Sequence, residues 1–179
     1  MQPNDVLSFW FEEVEESKWW VKDTEFDGLI IKRFSKIHNQ AIQGELYEWR
    51  STPAGRLAEV IVLDQFSRNM YRGDAKSFAY DSLSLILSQE AIRVGADMAV
   101  PMRQRGFFYL PFMHSESKTI HEQAVFLYDK LGNSNNLEFE RKHKAIIDRF
   151  GRYPHRNKIL ARVSTQEEID FLSGPNSSF

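Results

Sequence analysis

TPAGRLAEVIVLDQFSRN, residues 52–69, decides the fold class. Thr52 offers a side-chain oxygen to the first unpaired amides of a helix, and Pro53 falls where a helix needs no N–H. Leu57, Val60, Ile61 and Leu63 then recur every three or four residues, the period of a helix with one buried face. No two-residue alternation interrupts the run, so the segment predicts a helix and not a strand.

The same period returns on both sides of it. Asn4 is placed to cap a helix bearing Val6, Leu7, Trp10, Phe11 and Val14. A second helix from near Thr24 carries Phe26, Ile30, Phe34, Ile37 and Ala41 as a core-facing seam. Further on, Asp74 is expected to cap a helix through Phe78, Leu83, Leu87 and Ile92 that Gly95 ends, and Pro101 opens a short helix that Pro111 stops or kinks. Thr119 and Glu122 have capping-box spacing ahead of Ala124, Val125, Tyr128 and Leu131, with Gly132 closing the helix. Asn136 or Ser134 starts a helix running to about Phe150, and Ser164 with Glu167 spaces a second box. The expectation is an all-α chain of about eight helices in antiparallel pairs, closing as a bundle or stacking as a superhelix. One domain over 1–172 and a polar tail over 173–179 complete it.

Composition narrows the function classes. Hydrophobic residues are 42%, aromatics 13% and charged residues 27%, a globular balance. The net charge of −2 gives no general pull toward nucleic acid or an anionic membrane surface. Residues 1–50 carry ten acids against six Lys/Arg, and the remainder fifteen against seventeen, so an anion-attracting patch must be built by folding. The absence of Cys excludes disulfides, thiolate metal sites and a Cys nucleophile. No secretion signal opens the chain and no apolar run reaches ~20 residues, so a cytoplasmic location is expected. Trp19 and Trp20 read as packing bulk.

Two segments concentrate chemistry. RFGRYPHRN (149–157) sets Arg149, Arg152 and Arg156 around Gly151 and Pro154. Gly151 suits a left-handed helix end, where cations also meet the helix dipole. Arg156 and Asn157 lie past that end and call for another purpose. DQFSRNMYR (64–72) echoes DRFGRYPHR (148–156) as D-x-F-x-R-x-x-x-R, 84 residues earlier, and Asp64 and Asp148 are each spaced to pair with the arginine four residues on. Guanidinium groups suit carboxylate or phosphate, so the two segments predict an anion clamp. FFYLPFMHSE (107–116) delivers His114, Ser115 and Glu116 just after a proline. Adjacent His121 and Glu122 cannot both face inward. RKHK (141–144), with Glu138 and Glu140, reads as a solvated face.

TPAGRLAEVIVLDQFSRNMYRGD, RGFFYLPFMHSE and RFGRYPHRN, followed by STQEEIDFL, together resemble the bacterial family designated domain of unknown function 924, over essentially the whole chain. The resemblance implies an α-helical superhelix similar to tetratricopeptide-repeat proteins and brings no established activity. The positions matching its motifs are Asp64, Gln65, Arg68, Asn69, Arg72, His114, Ser115, Glu116, His143, Arg149, Arg152, His155, Arg156 and Asn157. Ser67 departs from the pattern, where Pro is expected, which alters the local turn more than the polar cluster.

The function expected is a polar Arg/His/Glu pocket for a small anionic ligand, phosphorylated or carboxylated, with hydrolysis or group transfer as its chemistry. His114 and Glu116 are the acid–base candidates, Arg68, Arg152 and Arg156 hold the anionic group, and the remaining matched positions line the site. The alternative is a non-catalytic helical scaffold for a protein or peptide partner. No metal or other cofactor is expected: Glu140 and His143 form one Glu-x-x-His pair, whereas a di-iron bundle needs two and two further glutamates. Nucleic acid and membrane are not expected partners.

Overall fold

Thr52 does cap its helix, its hydroxyl accepting from the Gly55 amide at 3.0 Å, with Pro53 at the first helical position. Gly55 is required there by space: a Cβ would run into the Trp49 carbonyl. This computed structural model describes residues 1–175 and 177. The tail expected over 173–179 includes positions 176, 178 and 179, which lie outside the described residues. Among the described residues the chain is all helical, without a strand, and it divides into two compact units.

The first unit comprises Met1–Arg72 and Lys76–Pro111. Helix α1 (Pro3–Ser8) continues as a π-turn, Phe9–Glu13, and α2 spans Thr24–Ile42. The third helix, α3, begins as Pro53–Ile61, passes through a second π-turn, Val62–Phe66, and ends as Ser67–Met70. Asp81–Arg93 forms α4, and α5 is Met102–Met113, whose last two residues belong to the second unit. Helix α1 packs on α3, α2 on the 62–70 stretch of α3, and α4 on the start of α3. Phe26, Ile30, Phe34, Ile37 and Ala41 are all buried, as their spacing requires. Phe34 lies 4.7 Å, centroid to centroid, from both Phe9 and Phe66, and the Trp19 indole donates to the Trp10 carbonyl at 3.0 Å.

The second unit holds Gly73–Ala75 and the chain from Phe112 onward. Helices α6 (Lys118–Leu131) and α7 (Ser134–Phe150) form an antiparallel hairpin, joined at Gly132, which takes φ 75°. Gly151 ends α7 in the same left-handed region, with φ 68°. A 3-10 turn, Pro154–Arg156, and α8 (Gln166–Leu172) follow. Ile146, Ile147 and Tyr153 form its core, with Phe150 and Phe171 packed against them.

Several local expectations need correction. Gln2, not Asn4, occupies the N-cap of α1, with Asp5 closing its capping box. A 3-10 turn over Ala75–Phe78 takes up the segment after Asp74, so α4 starts only at Asp81. Helix α6 begins at Lys118, which leaves Thr119 inside it rather than at its cap. The last box forms one residue later than expected, between Thr165 and Glu168. No described helix is long and apolar enough to cross a membrane.

Candidate functional site

The corner that follows α5 is pinned by side chains from later in the second unit. A helix end leaves carbonyls without partners, and here three successive ones each take a different donor. The Tyr153 hydroxyl donates to the Met113 carbonyl at 2.5 Å, Arg156 Nη2 to His114 at 3.0 Å, and His121 Nε2 to Ser115 at 2.9 Å. Glu116 completes the set: its carboxylate accepts from the Tyr153 amide at 2.7 Å and from both terminal nitrogens of Arg162 at 2.6 and 2.9 Å. Arg162 also reaches the Tyr153 carbonyl and the Asn157 side-chain oxygen, so all three guanidinium nitrogens are engaged. The residue before it, Ala161, sits at φ 52°, a left-handed conformation that costs a non-glycine roughly 1–2 kcal/mol. Arg162 follows directly and reaches back to Glu116.

Four of the chain's five histidines gather in this unit. Tyr153 is the hub for three of them: the rings of His155, His143 and His121 lie 5.4, 5.8 and 6.2 Å from its own, and the Arg156 guanidinium stands 4.7 Å over it. His114, half-buried, adds its charge to the field felt at His143. Burial pushes the His143 pKa down to about 3, against the Phe139 carbonyl and aided by the other three histidines. Its Nδ1 donates to that carbonyl at 2.8 Å, so the neutral ring keeps its lone pair on Nε2. Glu140 lies one turn before it on α7 and meets His121 Nδ1 at 2.7 Å, with both side chains fully buried. Burial raises the Glu140 pKa, and the His121 hydrogen bond only partly opposes this. At Glu116 burial also works against charge, but Arg162, the Tyr153 amide and Arg156 overcome it and hold the carboxyl below its usual range. Among the described residues no three histidine or carboxylate side chains are set to share a metal ion.

Of the arginines expected to clamp an anion, Arg68, Arg72, Arg149 and Arg152 hold carboxylates of the protein, and Arg156 holds the His114 carbonyl. Arg152 grips Glu168 through Nε and Nη2 at 2.6 and 2.8 Å, and that ion pair, with the Thr165 amide, draws the buried Glu168 pKa down to about 2. Arg149, largely exposed, pairs with Glu167 at 2.8 Å. Asn157 bonds Ser164 as well as Arg162. Asp148 does not reach Arg152, because the helix ends between them; it pairs with Lys144 at 2.6 Å. In the first unit, Arg68 forks onto Asp81 at 3.0 Å twice and lies 3.1 Å from Asp64, whose carboxylate also takes Gln65 at 2.6 Å. Arg72 and Asn69 converge on buried Asp27. Each segment thus finds carboxylates within its own unit.

Reading the sequence alone missed Asp27, Asp81, His121, Glu140, Tyr153, Arg162 and Glu168 as members of these networks. Glu140 had a signal: residues 140, 143 and 147 share one helical face, and Ile147 marks that face as core. The solvated-face reading of this stretch therefore holds for Lys142, which pairs with Glu138, and fails for Glu140 and His143. Arg162 had none, since Leu160-Ala161-Arg162 carries no motif.

An all-α chain with two dense polar networks, one of them rich in histidine, defines the class. Residues 6–176 match the family described as bacterial protein of unknown function, DUF924. A solved structure of a protein of unknown function from Agrobacterium tumefaciens is similar throughout, with 40% identity over 96% of this chain and 97% of that one and a TM-score of 0.92. No curated protein matches the chain. The chain belongs to the DUF924 family.

Proposed function

We propose that the second unit binds a small anionic metabolite, phosphorylated or carboxylated, at the corner of His114, with His143, His155 and Arg156 around the bound group, and that its chemistry is hydrolysis or group transfer. The observation that carries this reading is the convergence of three histidines and Arg156 on Tyr153, beside a corner, His114 included, whose three carbonyls are held by side chains. Rigid placement and shifted protonation equilibria are what a site for acid–base chemistry needs. His114 is the acid–base group, being half-buried and tied down through its backbone. Glu116, engaged through both carboxylate oxygens, anchors the corner. Arg68, Arg72, Arg149 and Arg152, with Asp64, Gln65 and Asn69, serve as scaffold.

The test is thermal melting of the protein against a panel of phosphorylated and carboxylated metabolites, with His114→Ala alongside. A ligand at a hundredfold excess over its Kd adds about 2.7 kcal/mol and raises the midpoint. The wild type is expected to respond to one class of anion and His114→Ala to lose the response while melting normally. A flat panel, or an equal response in both proteins, would count against the site.

A further inference from the structure

His121 and Glu140 are each at 0% exposure, and the hydrogen bonds around them fix where their protons are. His121 Nε2 faces the Ser115 carbonyl at 2.9 Å and the Tyr153 oxygen at 3.2 Å. A carbonyl only accepts. The Tyr153 hydroxyl hydrogen is committed to the Met113 carbonyl, so toward His121 the phenol oxygen accepts as well. Nε2 therefore carries a proton. On the other side of the ring, Nδ1 and Glu140 Oε1 stand 2.7 Å apart, too close for two bare lone pairs. One more proton lies between them.

We propose that His121 and Glu140 are a buried positioning pair that shares one proton, is electrically neutral as a unit, and keeps His121 Nε2 a permanent donor to the Ser115 carbonyl. The same count holds whether the shared proton is assigned to nitrogen or to oxygen, so it is a property of the pair. A carboxylate–histidine pair set for base catalysis presents a bare far nitrogen to its substrate. In this protein the far nitrogen is committed to backbone, so His121 acts through the 113–116 corner and is not itself an acid or base. Neutrality also fits the surroundings. Glu140 Oε2 is buried without a hydrogen-bond partner, a position that penalises a full negative charge. His143 on the same helix is a neutral ring, and Lys144 is the cation whose field reaches Glu140.

The inference goes beyond the ligand reading and is tested without any ligand, so either can fail alone. The full chain has five histidines, few enough for long-range nitrogen–proton correlation spectra to resolve each imidazole. At about pH 8, above the ordinary histidine range, His121 is expected to show a protonated Nε2. Glu140→Gln is expected to keep that signature, because the glutamine amide can donate to a bare Nδ1. A wild-type His121 with a bare Nε2 overturns the proposal, and so does loss of the Nε2 proton in folded Glu140→Gln. Should that variant not fold, the wild-type spectrum decides.

Discussion

The segments 64–72 and 148–156 spell the same pattern and put it to different use. In the first, Ser67 lets the helix continue past a π-turn, so Asp64 and Arg68 remain neighbours and Arg72 reaches back to Asp27 on α2. In the second, Gly151 occupies the position of Ser67, takes a positive φ and ends the helix, so Asp148 and Arg152 part. The fifth residue of the pattern behaves alike in both: Arg68 and Arg152 each fork onto an acid further along, Asp81 and Glu168. The ninth differs. Arg72 takes a carboxylate, whereas Arg156 takes the His114 carbonyl and the face of Tyr153. Where the helix continues past Ser67 the trailing arginine pairs with Asp27, and where it ends at Gly151 and Pro154 opens a new turn the trailing arginine joins the histidine centre.

The two acids at the forked arginines should separate most clearly. Glu168 is nearly inaccessible and also closes a capping box, whereas Asp81 is partly exposed and leaves Arg68 with Asp64 when removed. Glu168→Ala is expected to cost about 3 kcal/mol and Asp81→Ala about 1 kcal/mol, read from urea unfolding midpoints. Equal costs would break the distinction.

Each unit also buries one neutral histidine, and acid should expose both. His38 donates to Ser67 in the first unit at 2.8 Å, and burial takes its pKa down to about 4; His143 in the second stands at about 3. The unfolded chain protonates these groups near 6.5 and the folded chain does not, so the unfolded state binds more protons below that pH. Stability therefore falls as pH drops through 6.5 toward 4, by roughly 2 kcal/mol for each histidine at pH 5. His38→Phe or His143→Phe should each flatten half of the slope in melts taken across this range. Glu168 acts lower, since its stabilisation is present above the ordinary carboxylate range and is lost as pH falls toward 2.

Smaller effects sharpen the central position. Gly151→Ala places a Cβ in open space but at a positive φ, and is expected to cost about 1 kcal/mol in urea unfolding. Ala161→Gly relieves the same conformational strain before Arg162, and should raise stability by about 0.5 kcal/mol after the entropy cost of glycine.

What the sequence made legible follows from range. The buried seam of α2, the Thr52–Pro53 start and the Gly132 and Gly151 ends depend on residues within a turn or two, and all appear where local chemistry puts them. The caps expected at Asn4, Thr119 and Ser164 slipped to nearby polar residues, Gln2, Ser117 and Thr165, whereas past Asp74 a 3-10 turn intervenes and the helix starts behind Tyr80. His114, Glu116 and Arg156 were visible as a cluster. Their partners were not, because Arg162 meets Glu116 across 46 residues of chain and Tyr153 meets Met113 across 40. An arginine count shows a surplus of cations in a segment and cannot show the carboxylates that folding brings to them.

The most direct test of the histidine centre follows all five imidazoles by nitrogen–proton spectra while inorganic phosphate is titrated into the intact protein. Saturable shifts are expected at His114, with His143 and His155 moving together, while His38 in the first unit stays still. No movement at His114, or equal movement at His38, would contradict it.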